Sequence, residues 1–150
     1  MEPVSVTELT PLIPLALLAV ATACDLRSRE IPDGLPVAMV LWSLLAVAAG
    51  WSSLSWLNWG GGVALGLLLG AVFFALGALG GGDVKLLAGV GGVLGVGGLG
   101  PMLFWMAVCG GILGGIAKYR GQKELAYGPA IFAGFVIHMV SSGGFSDVVS

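Results

Sequence analysis

Long apolar stretches separated by brief polar ones set the pattern of this chain. Six apolar runs stand out: Leu9 to Cys24, Gly34 to Gly50, Gly61 to Leu79, Val84 to Leu99, Met102 to Ala117 and Gly128 to Phe145. Several fall short of the roughly 20 residues that span a bilayer comfortably, so their ends are soft. The connections leave no room for a soluble domain, and the backbone polar groups must then be satisfied within helices. The pattern predicts an all-α polytopic membrane protein, a single membrane-embedded domain over residues 1–150 with six transmembrane helices.

Glycine spacing adds detail. Gly66 with Gly70 in the third run, and Gly110 with Gly114 and Gly111 with Gly115 in the fifth, are spaced for close helix contacts. The signal is weak in a chain that holds 27 glycines. The fourth run is the least secure helix, because Gly89, Gly91, Gly92, Gly95, Gly97 and Gly98 each cost about 1 kcal/mol relative to alanine. A broken or mobile segment is expected there, with Pro101 marking a turn before the fifth run.

Charge orients the runs. Arg27 and Arg29 lie between runs one and two, Lys85 opens run four, and Lys118, Arg120 and Lys123 follow run five. Six crossings place all of them on one side, while the other loops, Trp51 to Gly60 and Gly97 to Pro101, hold no basic residue. The positive-inside rule then puts both termini outside and the basic loops in the cytoplasm, with the bilayer as a partner. Trp51, Trp56 and Trp59 crowd one outer loop and read as interfacial anchors.

Composition agrees. A chain that is 57% hydrophobic and 9% charged, with mean hydropathy +1.03, cannot hide its apolar surface in one small soluble core. A net charge of -2 says almost nothing about partners, and without a basic stripe no nucleic-acid partner is expected. Cys24 and Cys109 sit in different runs with no partner at ligand spacing, so neither zinc, nor a disulfide framework, nor any other cofactor is expected. Ala21-Thr22-Ala23-Cys24 faintly suggests a lipoprotein cleavage site, but Glu2 and Glu8 stand where a signal peptide carries positive charge. Run one is therefore expected to be a retained membrane helix.

The chemistry centres on Gly80-Gly81-Gly82-Asp83-Val84-Lys85, where a carboxylate and an ammonium stand between apolar runs. Alone, Asp83 reads most simply as a helix N-cap. The topology brings a second carboxylate, Asp25, to the same depth. Two carboxylates held close in a medium of reduced dielectric share one proton, so that one activates water as general base and the other acts as general acid. No Ser-His or Cys-His arrangement competes, and His138 belongs to run six, toward the outer side.

Other marked residues have blander roles. Asp33, after Ile31-Pro32, rivals Asp25 for the first catalytic position but reads better as the N-cap of run two. Lys85 either influences the dyad, meets a substrate carboxylate or lipid phosphate, or snorkels to the interface. Arg27, Arg29 and Glu30 chiefly set topology, with contact to anionic lipid or a substrate's flank as the lesser reading, and the basic cluster after run five does the same while also suiting an acidic substrate segment. Gly128-Pro129 opens run six with proline at a tolerated position and needs no functional explanation.

Taken together, Asp25 to Asp33, then Gly80 to Leu86, then Tyr127-Gly128-Pro129 resemble the three signature regions of the type IV prepilin peptidases, intramembrane aspartic proteases of the Gly-x-Gly-Asp class. The resemblance spans runs one to six. It implies that Asp25 and Asp83 are the catalytic pair, with Gly80, Gly82, Lys85 and Asp33 shaping the site. The implied substrate is a pilin-like precursor, cut at the cytoplasmic membrane surface after a glycine of its leader. Longer members carry an extra cytoplasmic region with paired cysteines and also methylate the new amino terminus. The short loops and missing cysteine pair here imply peptidase activity without N-methylation, as in the compact peptidases of tight-adherence pilus systems, which the chain resembles together with archaeal preflagellin peptidases. The rival of another class is a small proton-coupled transporter or channel using the same carboxylates, and a structural scaffold with both Asp as caps is a third.

Overall fold

A computed structural model describes residues 10–122 and 125–143. Among them the chain is wholly helical: α1 Leu12–Ser28, α2 Gly34–Ala48, α3 Trp56–Ala75, α4 Gly81–Tyr119 and α5 Gly128–Ser141. The start of run one at Leu9, the end of run six at Phe145, Glu2, Glu8 and Lys123 lie outside the described residues.

Local signals account for the helix ends. Ser55, in extended backbone, caps α3 by accepting the N–H of Asn58 at 3.2 Å. Proline in the first turn of α5 loses no helical hydrogen bond there. α1 runs four residues past Cys24 and stops at Arg29, whose left-handed backbone (φ 55°) is costly for a side chain with a Cβ. Asp25 therefore lies in the last two turns of a helix, not beyond its end.

α4 would be about 59 Å long if straight, some twice the hydrocarbon thickness of a bilayer. It is broken at Gly95, whose φ of 68° and ψ of -178° belong to a region essentially reserved for glycine. Neighbours reveal a reversal of direction at the break. Along the first arm, Val84 packs on Gly70, Leu87 on Gly66 and Gly91 on Gly62. Beyond the break Gly98 lies beside Leu94 and His138, Met102 and Met106 lie beside Gly134, and Gly110 lies beside Tyr127. The two arms thus form a hairpin, the first antiparallel to α3 and the second antiparallel to α5.

Runs four and five of the sequence are these two arms, but the turn expected at Gly97 to Pro101 is helical. The carbonyl that Pro101 cannot serve is that of Gly97, in the exposed opening turn of the second arm, where its loss is tolerated. The break itself is held from outside. Asn58 Oδ1 accepts the N–H of Val96 at 2.9 Å, satisfying a donor freed by the kink.

The glycine-rich first arm is the most buried segment, Leu86 through Gly92 being buried without interruption. Gly62, Gly66 and Gly70 of α3 meet its backbone so closely that a Cβ at any of them would strike it. Glycine here permits close packing, which argues against this arm as the mobile element. Met39, Leu18, Met102, Ile131 and Phe135 complete the core.

α3 and α4 are long and apolar enough to cross a membrane, and only 17% and 22% of their most apolar windows are buried. A core helix of a soluble protein would be mostly covered. Leu67, Leu68, Val72, Phe104 and Ile112 instead face outward. Every described Asp, Glu, Lys and Arg stands in 25–33, in the first turns of α4, or in 118–120, and the hairpin brings these to one end. The opposite end carries Trp42, Trp51, Trp56 and Trp59, which do more than anchor. Trp59 donates its indole N–H to Ser43 Oγ at 2.9 Å and Trp42 donates to the Thr10 carbonyl at 3.2 Å. Trp51 stacks against Trp42, and of the expected anchors only Trp56 is exposed.

Candidate active site

The last turns of α1, the 29–33 connection and the first turn of α4 surround a cleft of about 620 Å³. Asp25 and Asp83 both line it, each only 6% exposed. A second cleft of about 430 Å³ reaches the same two residues from the other side, between 77–80 and 125–127. The carboxylates are close enough for their charges to interact.

Asp25 is held by the start of α5. The N–H of Gly128 donates to its Oδ2 at 2.7 Å, a charge-assisted geometry at a helix N-terminus. Glycine is required at this point, since a Cβ at 128 would come within 2.7 Å of Oδ2 and 3.0 Å of the Asp25 Cβ. Thr22 Oγ1 donates to the Gly128 carbonyl at 3.2 Å, so α1 and α5 are joined twice.

Asp83 occupies the third position of α4 and turns back to the N-cap, Oδ2 accepting the N–H of Gly80 at 3.1 Å. Asp83 is therefore not the N-cap that the simplest expectation makes it: Gly80 holds that position, and half of the Asp83 carboxylate reaches back to it from the third helical residue. Its other oxygen, Oδ1, is buried and has no hydrogen-bond partner. Such an atom calls for an explanation, and a catalytic role is one. Gly82 lets the Ile31-Pro32-Asp33 segment press on the start of α4, a Cβ there lying 3.1 Å from that of Ile31.

Asp33 stands at the N-cap position of α2 but makes no side-chain capping bond. It forms an ion pair of 2.7 Å with Lys85 instead, both side chains being largely exposed and Asp33 itself lining the cleft. Lys85 is thereby turned to Asp33, a link between α2 and α4 that local reading of either residue does not anticipate. Gly128 does more than its sequence context predicts. Its proline context explains the helix start, yet its N–H and missing side chain hold Asp25, and the Tyr127-Gly128-Pro129 signature was the signal. His138 lies at the opposite end beside Gly98, on the far side as expected.

Two buried carboxylates from distant segments, one with a free oxygen, share two openings. The arrangement suits acid-base activation of water. Residues 12–115 match the profile of the type IV leader peptidase family. The chain is similar to the prepilin leader peptidase/N-methyltransferase of Bacillus subtilis (strain 168), 34% identical over 130 residues that cover 82% of this chain and 52% of the relative. It is similar as well to the prepilin leader peptidase/N-methyltransferase of Pectobacterium carotovorum subsp. carotovorum, 36% identical over 143 residues, 88% of this chain and 51% of that protein. The chain thus spans about half the length of the curated relatives it matches. No solved structure matches it.

Proposed function

Because the chain belongs to the type IV leader peptidase family, we propose that it is an intramembrane aspartic endopeptidase that removes the leader of a pilin-like precursor, with Asp25 and Asp83 as its catalytic pair. The observation that carries the assignment is the meeting of these two buried side chains at two shared clefts. One carboxylate takes a proton from water as the water oxygen attacks the scissile carbonyl carbon, while the other, protonated, gives its proton to the carbonyl oxygen. The tetrahedral gem-diol then collapses: one hydroxyl returns its proton to the carboxylate that had acted as acid, the C–N bond breaks, and the proton on the other carboxyl passes to the leaving amine. No covalent intermediate is needed.

The six helical segments, counting the arms of α4 separately, cross the inner membrane with the charged end in the cytoplasm and both termini outside. Support comes from the alternation of direction and, among the described residues, the confinement of Asp, Glu, Lys and Arg to one end. A proton-coupled transporter would need ionisable groups leading to the other end, and among the described residues that end offers only His138. The substrate is of the bacterial pilus type, and the connections 29–33, 49–55, 76–80 and 120–127 leave these residues to cleave the leader without methylating the product.

Purified protein in detergent, incubated with candidate precursors and followed by mass spectrometry, reports both the cut and any methyl group. Asp25→Asn and Asp83→Asn each keep size and polarity, and each is expected to lower cleavage by at least about 1,000-fold in folded protein. Normal cutting by Asp25→Asn together with loss in Asp33→Asn would transfer the first catalytic role to Asp33.

A further inference from the structure

Two stripes of small residues at four-residue spacing differ in what they meet. Gly62, Gly66 and Gly70 of α3 are filled by the first arm of α4. Ala107, Gly111 and Gly115 on the second arm are exposed, and a Cβ at Gly111 or Gly115 would have nothing within 4 Å. The expected contact through Gly111 and Gly115 is therefore not made by any described helix. Gly111 and Ala107 instead line an apolar groove of about 320 Å³, closed by Phe73, Leu79, Met106 and Tyr127.

The groove leads somewhere. Leu79 and Tyr127 belong both to it and to the 430 Å³ cleft of Asp25 and Asp83. Asp83, whose Oδ1 is buried and unpartnered, stands in that cleft. An apolar groove thus runs into a cleft holding a carboxylate with one unpartnered oxygen.

We propose that this groove seats the apolar helix of the precursor, so that the residues just before that helix lie across Asp25 and Asp83. The proposal rests on the leader-peptidase reading and adds where the substrate sits. From Leu103 to Gly114 the second arm offers roughly 17 Å, about three helical turns. The missing side chain at Gly111 lets another helix backbone come close, as α3 does on the first arm. An acyl chain would fill the groove without using that approach, and it has no group to present to the carboxylates. Access from the side is then already open, and no helix of the bundle has to move to admit substrate.

The test uses a synthetic precursor, a leader ending in glycine joined to an apolar helix of about 20 residues. Full-length Asp83→Asn protein carrying Phe73→p-benzoylphenylalanine is reconstituted in lipid vesicles with this precursor and irradiated. A covalent adduct within the precursor's apolar helix is expected, and adducts with lipid alone would overturn the proposal. In the active protein, Gly111→Leu should raise KM at least tenfold. Gly100→Leu, an equally open position on the same arm away from the groove, should leave KM unchanged. Equal KM values in the two variants would also overturn the proposal. Failure of the unaltered protein to cut any precursor would count against the leader-peptidase reading, and the cross-link would still decide what occupies the groove.

Discussion

The two ends of the helix bundle face the same task, satisfying polar groups at helix termini inside an apolar chain, and meet it with different residues. At the tryptophan end the partners are neutral and matched. Asn58 Oδ1 takes the N–H of Val96, Ser55 Oγ takes that of Asn58, and Ser43 Oγ accepts from Trp59 while donating to the Val40 carbonyl. At the other end the partners are charged and capacity is left over. Asp25 and Asp83 each receive one backbone N–H, and Asp83 Oδ1 receives none. A buried network that is fully satisfied stiffens a fold, whereas one left short is held in readiness for something else. The tryptophan end is therefore expected to govern stability and the charged end activity.

The sharpest way to break this division is at Gly128. Alanine there adds a single methyl group that meets the Asp25 carboxylate, yet the helix start is otherwise tolerant of it. Displacing a catalytic group by about 1 Å can cost some 100-fold in rate, and a cleavage loss of at least that size is expected for Gly128→Ala. Thermal unfolding in detergent should change little by comparison. Full activity in this variant would remove the α5 N-terminus from the site.

Gly66→Ala addresses the scaffold that both ends share. The added Cβ strikes the carbonyl group of Leu87 on the first arm, and overpacking of this kind destabilises by about 1–3 kcal/mol. The expected result is a lower unfolding temperature, with cleavage per folded molecule preserved. Unchanged stability would mean that α3 and α4 have room to separate.

How far these features could be read in advance depended on whether their causes were local. The convergence of Asp25 and Asp83 was legible, because the loops holding charge alternate with loops that lack it. Four of the six runs kept their identity as single helices. The position of the break was not legible. Six glycines of the fourth run look alike along the chain, and Gly95 is singled out by Leu54 and Asn58 pressing on it from α3 and its approach. Gly128 escaped for a related reason, since its contribution is a backbone N–H reaching a partner 103 residues away. Asp33 showed a capping residue's local context, while its actual partner, Lys85, lies 52 residues on.

At the tryptophan end, Asn58→Ala removes the acceptor for Val96 at the break. Loss of a capping acceptor costs about 1 kcal/mol, so thermal unfolding should shift modestly while cleavage stays near its original rate. A large loss of cleavage from this substitution, at the end of the bundle away from the carboxylates, would contradict the separation of roles and point to coupling through the arms of α4.

The smallest effect is expected from the ion pair between Asp33 and Lys85, and it is the most delicate test of where the active site stops. The side chains are 73% and 54% exposed, and water and salt screen such a pair to between about 0 and 1 kcal/mol. Lys85→Gln should therefore leave stability nearly unchanged and cleavage within about twofold, with the difference from the unaltered protein shrinking as salt is raised. The pair nonetheless joins α2 to α4 across the rim of the cleft. If Lys85→Gln lowered cleavage tenfold or more and Asp33→Asn reproduced the loss, the link would be holding the rim in its working shape. The boundary between activity and mere solvation would then lie outside the buried carboxylates.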